Sequence, residues 1–290
     1  MKLNEIVMRD PFILTNKDDQ TYYLYGTTPA FDGQGFYCYT SKDLINFNGP
    51  FKIFTPKSDF WGKKQYWAPE VYHINDKYYL LATFKADGHT RGCQMLVSDS
   101  PKGPFTVYSD ILTPLEFEAL DATLCFDDNG PYIIFCHEWL QSEIGEIWRQ
   151  NLSDDLKHRV GKPIYLFKAD DAKWASTDVW FCTRRVCITD GPFLYQKGNH
   201  QVLLWSTYVN KYDYGTGYAF IDKKGNIIGH SKDKLPITDG GHSMVFTSFE
   251  GDDYLVMHTN NKNNGFEIIN LFSISFNDKG ELIIGEQSFL

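Results

Sequence analysis

The amino-acid sequence predicts an all-β fold, arranged as a five-bladed β-propeller, on three observations. One unit recurs five times, short apolar runs of strand length are separated by Gly, Asp and Asn turns, and sustained 3.6-residue apolar periodicity is almost absent. Each unit holds about four short strands, which is the make-up of a propeller blade. A β-sandwich is the structural alternative, but it would not explain five similar blocks. We expect a single domain over residues 1–290.

Each repeat begins with a polar residue and a turn former, runs into a short apolar strand, crosses a hairpin and returns as a second strand. The five copies are RDPFILTNKDDQTYYLYGTT from Arg9, APEVYHINDKYYLLATF from Ala68, LDATLCFDDNGPYIIFCHEW from Leu120, TDGPFLYQKGNHQVLLWST from Thr189 and GGHSMVFTSFEGDDYLVMHT from Gly240. The leading polar residues are Asp10, Glu70, Asp121, Asp190 and His242. Because the first strand of each blade lines the channel of a propeller, we expect these side chains to converge on its axis. Carboxylates gathered there are costly unless they are paired, bound to metal or used in chemistry.

Composition and charge exclude several classes of function. Hydrophobic residues make up 42% of the chain and aromatic residues 16%, which favours strands and also suits a sugar-binding cleft. The net charge is −9 and no basic cluster is visible, so neither nucleic acid nor an anionic membrane is expected as a partner. The longest apolar runs have the length of strands, which is too short for a membrane helix.

The cysteines and the N-terminal stretch predict a cytoplasmic protein. MKLNEIVMRDPFIL has no continuous apolar run and no small-residue cleavage site, so it does not resemble a signal peptide. The six cysteines show no CxxC spacing, and several lie in strand-like runs, so we expect free and mostly buried thiols. They are Cys38, Cys93, Cys125, Cys136, Cys182 and Cys187.

Five motifs together resemble glycoside hydrolase family 43 over nearly the whole chain. They are RDPF at Arg9–Phe12, WAPEV at Trp67–Val71, LDATLCFDDNG at Leu120–Gly130, TDGPFLY at Thr189–Tyr195 and GGHSM at Gly240–Met244. Each motif alone is weakly specific, whereas the ordered set at blade spacing is strongly specific. The resemblance implies a five-bladed propeller and an inverting hydrolase that acts mostly on arabinofuranosides, xylosides and, less often, galactosides of plant polysaccharides.

Inversion needs two carboxyl groups with separate tasks, one to deprotonate the attacking water and one to protonate the leaving oxygen. They stand roughly 6.5–9.5 Å apart, so that the water fits between them. By the resemblance, Asp10 in its RDP context is the general base. Asp121 matches the family's third carboxylate, which sets the pKa and the orientation of the acid.

The general acid is where the sequence departs from the family. Asp190 lies in TDGP, where the family has a glutamate in an EGP motif, and an aspartate is one methylene shorter. Either Asp190 is the acid in a shifted backbone, or the acid comes from another position, or the protein is a weak or inactive hydrolase. Glu138 in FCHEW, at the end of the strand after Asp121, is the alternative acid, and Asp190 is preferred.

Further residues are predicted to bind substrate. The aromatic candidates would stack on a sugar face, with core packing as the alternative, and Glu70 would shape the pocket or bind a sugar hydroxyl. The five substrate-binding candidates are Trp67, Glu70, Trp139, Phe31 and Trp205.

A cation and one long segment complete the predicted site. His242 resembles the family histidine near a hydrated cation on the channel axis, usually calcium. Water would supply most ligands of such a structural ion, and no cofactor is otherwise required. The segment Trp174–Cys187 adds Asp178, Arg184 and Arg185 just before TDGP, and we expect it to form a pocket wall or a rim loop.

The leading functional hypothesis is an exo-acting enzyme that releases terminal pentoses from short plant-derived oligosaccharides. The missing leader favours imported oligosaccharides over polymers, and the lack of an extra C-terminal β-sandwich favours an α-L-arabinofuranosidase over a β-D-xylosidase. A non-catalytic carbohydrate-binding propeller is the alternative suggested by TDGP. A sugar-phosphorylase-like propeller would need Arg184 and Arg185 as phosphate ligands. The oligomeric state is left open.

Overall fold

The computed structural model describes residues 1–28, 32–263 and 265–288, and within these ranges the protein is almost entirely β. The prediction of an all-β fold is confirmed. Short helical segments span Leu3–Glu5, Trp139–Ser142 (α1) and Ala169–Asp171. In the same ranges, no helix is long and apolar enough to cross a membrane.

Twenty strands in the described ranges follow one another in five groups of four, which we call units 1 to 5. Unit 1 is β1 (Arg9–Asn16), β2 (Thr21–Thr27), β3 (Phe36–Ser41) and β4 (Phe47–Phe54). Unit 2 is β5 (Lys64–Ile74), β6 (Lys77–Lys85), β7 (Gly92–Ser98) and β8 (Thr106–Ile111). Unit 3 is β9 (Ala119–Asp127), β10 (Gly130–His137), β11 (Glu146–Leu152) and β12 (Arg159–Lys168). Unit 4 is β13 (Asp190–Lys197), β14 (His200–Tyr208), β15 (Tyr214–Ile221) and β16 (Ile227–His230). Unit 5 is β17 (Gly240–Thr247), β18 (Asp253–Thr259), β19 (Ile268–Phe276) and β20 (Leu282–Ser288).

Each unit is an antiparallel sheet, and the five sequence repeats coincide with the first two strands of the five units. Units 4 and 5 are joined into one larger sheet by a single parallel bridge between Gly215 and Gly240. The first strands contact one another in cyclic order, from β1 through β5, β9, β13 and β17 and back to β1. The N-terminal segment reinforces the last contact, because Val7 forms a bridge with Ile268 of unit 5.

Every first strand carries the same β-bulge near its start. Two of its residues face a single residue of the second strand, and the first of the two has a positive φ. These left-handed residues are Asp10 (φ 52°), Ala68 (46°), Asp121 (55°), Gly191 (50°) and His242 (49°). A bulge interrupts the alternation of side chains along the strand, so it can turn two consecutive residues toward the same space.

The bulges correct the alignment of the repeats that was made from the sequence. Three of the five predicted ionisable residues are bulge residues, but two are not. Glu70 lies two residues after the bulge residue of unit 2, which is Ala68, and Asp190 lies one residue before that of unit 4, which is Gly191. The sequence alignment matched polar residues by their chemistry, whereas the equivalence is set by backbone conformation.

The bulge N–H groups bind each unit to the preceding one. In four units the bulge N–H donates to a side chain on the second strand of the preceding unit. The acceptor residue is the one that pairs with the position just before the bulge of that preceding unit. The bonds run from Ala68 N to Thr27 Oγ1 (2.7 Å), from Asp121 N to Thr83 Oγ1 (2.9 Å), from His242 N to Ser206 Oγ (2.8 Å) and from Asp10 N to His258 Nδ1 (3.1 Å). In unit 4, Gly191 N donates instead to Asp121 Oδ2 (3.1 Å), since the equivalent residue of unit 3 is Cys136, whose sulfur is a weak acceptor.

Hydrophobic clusters fill the space between neighbouring units, and one of them contains Trp205. Its ring centroid lies 4.6 Å from that of Trp174 and 5.3 Å from that of Phe167, and the side chain is fully buried. The prediction that Trp205 binds substrate is therefore wrong. The residue belongs to a part of β14 that is buried along its length, where an aromatic side chain serves packing.

We predict that Gly191→Ala destabilises the protein by about 2–4 kcal/mol, because it combines the cost of a left-handed alanine with overpacking. A Cβ at Gly191 would lie 2.7 Å from His242 Cγ and 3.0 Å from His242 Cα. The free energy of unfolding, measured in urea, gives the effect.

Gly198→Ala is the matched control for this prediction. Gly198 has φ +61°, and a Cβ there would meet nothing within 4 Å. Gly198→Ala should lower the free energy of unfolding only by the cost of a left-handed alanine, about 1 kcal/mol. Equal losses of unfolding free energy in the two variants would show that the close approach of the new Cβ to His242 does not destabilise the protein.

Candidate active site

The bulged ends of the first strands surround a cavity of about 420 Å³. Both the bulge residue and the residue before it reach this cavity in units 1 and 3, as the bulge geometry allows. Seven predicted site residues line it, namely Asp10, Trp67, Asp121, Glu138, Trp139, Asp190 and His242. The structure therefore gathers the predicted catalytic carboxyl groups in one place.

Asp10 is a buried carboxylate held on both oxygens. Thr27 Oγ1 donates to its Oδ2 at 2.5 Å, and His242 Nδ1 lies 3.1 Å from its Oδ1. Burial alone would raise the pKa of Asp10, but His242 and Arg9 outweigh it, and the pKa lies below its usual value. A carboxylate that stays ionised at the wall of a pocket is suited to accept a proton.

His258 is the neutral member of this network. Its Nδ1 accepts the backbone N–H of Asp10 at 3.1 Å, so Nδ1 carries no proton. Burial lowers the pKa of His258 to about 3, and the positive charge of Arg9 adds to this effect. His258 therefore fixes the backbone of Asp10 without bringing a charge to the site.

Asp121 and Asp190 have the opposite tendency to Asp10. Burial, followed by repulsion from Asp10, raises the pKa of Asp121 to about 8. Burial, followed by repulsion from Asp121, raises the pKa of Asp190 to about 7. Because these buried carboxyl groups disfavour one another's ionisation, at least one of them keeps a proton near neutral pH. The cavity thus combines a proton acceptor with a proton donor.

Hydrogen bonds hold these two carboxyl groups in place. Asp121 Oδ2 accepts the N–H of Gly191 at 3.1 Å and lies 3.6 Å from His242 Nδ1. Asp190 Oδ2 accepts the hydroxyl of Tyr214 at 2.9 Å. Tyr214 was not predicted from the sequence, because it lies on β15 and is brought to Asp190 only by strand pairing.

Glu138 follows β10 directly and precedes α1, and an arginine holds it. Arg91 is buried and forms an ion pair with Glu138. The same guanidinium donates from Nε to Gln65 Oε1 at 3.0 Å and lies 4.9 Å from the ring of Trp67. Burial raises the pKa of Glu138, and the charge of Arg91 opposes that rise. Arg91 was missed in the sequence, where RGC has no distinguishing pattern.

Arg9 is a second cation of the site, and its side chain is partly exposed. It lines the cavity, and its Nη1 lies 2.9 Å from Oε1 of Glu267, which is fully buried. Glu267 precedes β19 in unit 5, so the ion pair also ties unit 1 to unit 5. Nothing in the local sequence around Glu267 marks this role.

Two predicted substrate-binding residues need separate comment. Glu70 does not line the active-site cavity, so the prediction that it binds a sugar hydroxyl is wrong, whereas its role in shaping the pocket stays a prediction. Its carboxyl accepts a hydrogen bond from Tyr72, and burial raises its pKa to about 8. The reason is its place two residues beyond the bulge, deeper in the first strand. Phe31 lies outside the described residues.

The calcium ion that the resemblance implies beside His242 would take most of its ligands from water, and it stays a prediction. Within residues 1–28, 32–263 and 265–288, no group of three or more His, Cys, Asp or Glu side chains converges as a metal site. The space next to His242, shared with Asp10 and Glu70, measures about 10 Å³. That is room for about one water molecule. The catalytic steps below are assigned to side chains alone.

A carboxyl group with a lowered pKa shares one pocket with two carboxyl groups whose pKa values are raised, which is the division between base and acid that a glycoside hydrolase needs. The model of glycosyl hydrolases family 43 matches residues 4–270, and the chain belongs to this family. It is therefore an inverting glycoside hydrolase with an oligosaccharide substrate, as the motifs predicted.

Solved structures agree with this assignment. An endo-arabinase from Bacteroides thetaiotaomicron VPI-5482 is 36% identical, with 97% of this chain and 98% of that chain covered and a TM-score of 0.87. An endo-1,4-beta-xylanase from the same strain is 23% identical (97% and 96% covered, TM-score 0.74), and an alpha-L-arabinofuranosidase from Lactobacillus brevis is 18% identical (97% and 97%, TM-score 0.73). At these lower identities the last two support the fold alone. Among curated proteins, none matches the chain.

We predict a bell-shaped dependence of kcat/KM on pH. Activity falls at low pH as Asp10 takes a proton, and it falls again as the pH rises through about 7 and Asp190 loses its proton. The Tyr214 hydroxyl favours the ionised form of Asp190 and so lowers its pKa. Tyr214→Phe should therefore move the alkaline limb to higher pH.

Tyr218→Phe is the control for the pH profile. Its hydroxyl lies in the same unit and accepts the N–H of Leu282 at 3.4 Å. The alkaline limb should stay in place in this variant. An alkaline limb that is unmoved in Tyr214→Phe would mean that Asp190 is not the group that titrates there.

Proposed function

We propose that the protein hydrolyses α-L-arabinofuranosidic bonds, with the whole chain as one catalytic domain. One observation carries the proposal: Asp10, with a lowered pKa, and Asp190, with a raised pKa, share one pocket. Groups whose pKa values are pushed apart in this way divide the roles of base and acid. The choice of an arabinoside is supported by the 36% identity with an endo-arabinase.

The five units are, in this proposal, the blades of a five-bladed propeller. Two observations support it. The first strands contact one another in cyclic order, and each bulge N–H donates to the preceding unit, with Asp10 of unit 1 donating to His258 of unit 5. An arrangement in a closed ring explains why the last unit lies against the first.

In the proposed mechanism Asp10 removes a proton from water while the water oxygen attacks the anomeric carbon. Thr27 and His242 hold the two oxygens of Asp10 and so orient it toward the water. The glycosidic bond breaks as Asp190 gives its proton to the leaving oxygen. The new bond forms on the face opposite the leaving group, so the configuration inverts, and Asp10 ends protonated and Asp190 ionised.

Asp121 acts in this proposal through its neighbours. It binds the N–H of Gly191 and so fixes the backbone next to Asp190, and its negative charge, when present, raises the pKa of Asp190. It also contacts His242, which contacts Asp10. Asp121 therefore couples the base to the acid. The proposed steps require no cofactor.

Asp190 is proposed as the acid in preference to Glu138. The Glu138 carboxyl is paired with the guanidinium of Arg91, which favours its ionised form, whereas Asp190 accepts a neutral tyrosine hydroxyl. An acid must hold a proton near the working pH, and Asp190 meets this condition better.

We predict that Asp190→Asn lowers kcat/KM on natural linkages by roughly 10²–10⁴-fold, the usual contribution of general acid catalysis. On an aryl arabinoside with a good leaving group the loss should be much smaller, because little protonation is needed there. Glu138→Gln should affect both kinds of substrate equally. A loss in Glu138→Gln that depends on the leaving group, with none in Asp190→Asn, would make Glu138 the acid.

Exo-acting release of terminal arabinose from short oligosaccharides is the preferred specificity. A cavity of about 420 Å³ has the size of a pocket for a small ligand. The six free cysteines, five of them buried, support a reducing compartment such as the cytoplasm, where substrates are short. Endo-acting cleavage is the second candidate, because the 36% identical structure is an endo-arabinase.

Product analysis separates these specificities. With a linear arabino-oligosaccharide labelled at its reducing end, we predict free arabinose and a labelled series that shortens by one sugar at a time. Labelled fragments of intermediate length from the first minutes would indicate endo-acting cleavage. Faster release from an aryl β-D-xyloside than from an aryl α-L-arabinofuranoside would instead support the β-D-xylosidase alternative.

A further inference from the structure

A second cavity, of about 520 Å³, lies beside the active-site pocket and carries an unusual charge. It is formed by the segment from Thr177 to Arg185 together with Lys211. We call it the basic cavity, because Arg184, Arg185 and Lys211 line it against a single carboxylate, Asp178. The protein as a whole has a net charge of −9, so this excess of cations is local.

The basic cavity adjoins the active site through Phe181. Phe181 lines the active-site cavity, while the residues on either side of it in the sequence, Trp180 and Cys182, line the basic cavity. The Phe181 ring centroid lies 5.7 Å from that of Trp139, in the active site, and 5.7 Å from that of Trp180. Phe181 and its two sequence neighbours therefore form the wall between the two cavities.

The aromatic wall between the two cavities is held in a fixed position. Trp180 is 51% exposed, yet its backbone N–H donates to Lys211 O at 3.1 Å and its Nε1 donates to Tyr208 at 3.1 Å. Val179 and Cys182 pair across the tight turn that presents Trp180 and Phe181. An exposed indole fixed in this way offers a face on which a sugar ring can stack.

Both candidate acids place the leaving group on this side of the active site. Asp190 accepts the hydroxyl of Tyr214, and the ring of Tyr208 contacts both the Tyr214 ring and the Phe181 ring, at 5.5 Å between centroids in each case. Glu138 precedes Trp139, whose ring also contacts that of Phe181. Since the acid protonates the leaving oxygen, the sugars beyond the cleaved bond extend toward Phe181 and the basic cavity. This argument holds whichever of the two carboxyl groups is the acid.

We propose that the basic cavity binds the carboxylate of a uronosyl residue in the leaving-group part of the substrate. The fork of an arginine guanidinium matches a carboxylate with two parallel hydrogen bonds, and Trp180 offers the sugar ring a stacking surface. The inference rests on the proposed function and deepens it: the enzyme removes arabinose from acidic oligosaccharides. A phosphate group could satisfy the same cations, so the test includes it.

Isothermal titration calorimetry with the full chain tests binding without relying on hydrolysis. The probes are digalacturonate, its neutral counterpart galactobiose, and inorganic phosphate. At low salt we expect digalacturonate to bind at least tenfold more tightly than either other probe. At 0.5 M NaCl that preference should largely disappear, because the Debye length falls to a few Å, about 3 Å at 1 M. Equal binding of digalacturonate and galactobiose would overturn the proposal, and so would phosphate binding as tight as that of digalacturonate.

The double variant Arg184→Gln/Arg185→Gln should abolish the tenfold preference for digalacturonate. Lys162→Gln/Lys224→Gln is the matched control, since it removes the same charge at two exposed residues that line neither cavity. The control should keep the preference. A preference retained by the arginine variant, or lost equally in the control, would overturn the inference. Lys211→Gln, on a different loop, serves as a second variant if the double variant does not fold.

Kinetics connect the basic cavity to the reaction. The measured quantity is the ratio of kcat/KM for an arabinosyl oligosaccharide with a uronosyl residue next to the cleaved bond to that for its neutral analogue. We expect a ratio of about ten in the wild type and about one in the arginine variant. Binding of digalacturonate without any hydrolysis would reject the proposed function alone. Hydrolysis of neutral arabinosides without a uronate preference would reject the further inference alone.

Discussion

The architecture depends on the hydrogen bond that the left-handed bulge residue of each first strand donates to the preceding unit. A buried N–H needs a partner, and here the partner always belongs to the neighbouring unit, so the bulge sets how two units meet. The same bulge turns consecutive side chains toward the cavity. Thr27 takes part in both functions, because its hydroxyl accepts the N–H of Ala68 and donates to the carboxylate of Asp10. Joining the units and orienting the base are therefore one network.

Burial of several charges in one place determines the chemistry of the site. Asp10 stays ionised because His242 and Arg9 compensate for its lost hydration, while Asp121 and Asp190 lack comparable compensation and have raised pKa values. Isolated charges of this kind would be strongly unfavourable in a protein interior. Their cost is offset by the ion pair of Arg9 with Glu267 and by the hydrogen bonds that reach each carboxyl group.

The two sides of the cavity have different physical characters. Around Asp10 the contacts are with Thr27, on β2 of unit 1, and His242, on β17 of unit 5. These two residues also take part in the contacts between units. Around Phe181 the wall is made by a long segment with exposed aromatic and basic side chains. In the mechanism proposed above, the hydrogen-bonded side around Asp10 holds the attacking water, and the side around Phe181 receives the departing sugar.

The sequence by itself determined the all-β fold, the five repeats and the positions of Asp10, Asp121 and His242, because turn formers, strand-length apolar runs and polar residues at strand starts are local signals. Only the tertiary structure decided the rest. It showed that Ala68 and Gly191, not Glu70 and Asp190, are the bulge equivalents, since these two residues have positive φ and donate their N–H groups to the preceding unit. It placed Trp205 in the core and Trp67 at the cavity, although both are tryptophans in similar strands. It also brought Arg91 and Tyr214 to the carboxyl groups, because contacts between units depend on packing across long sequence separations, which no local pattern records.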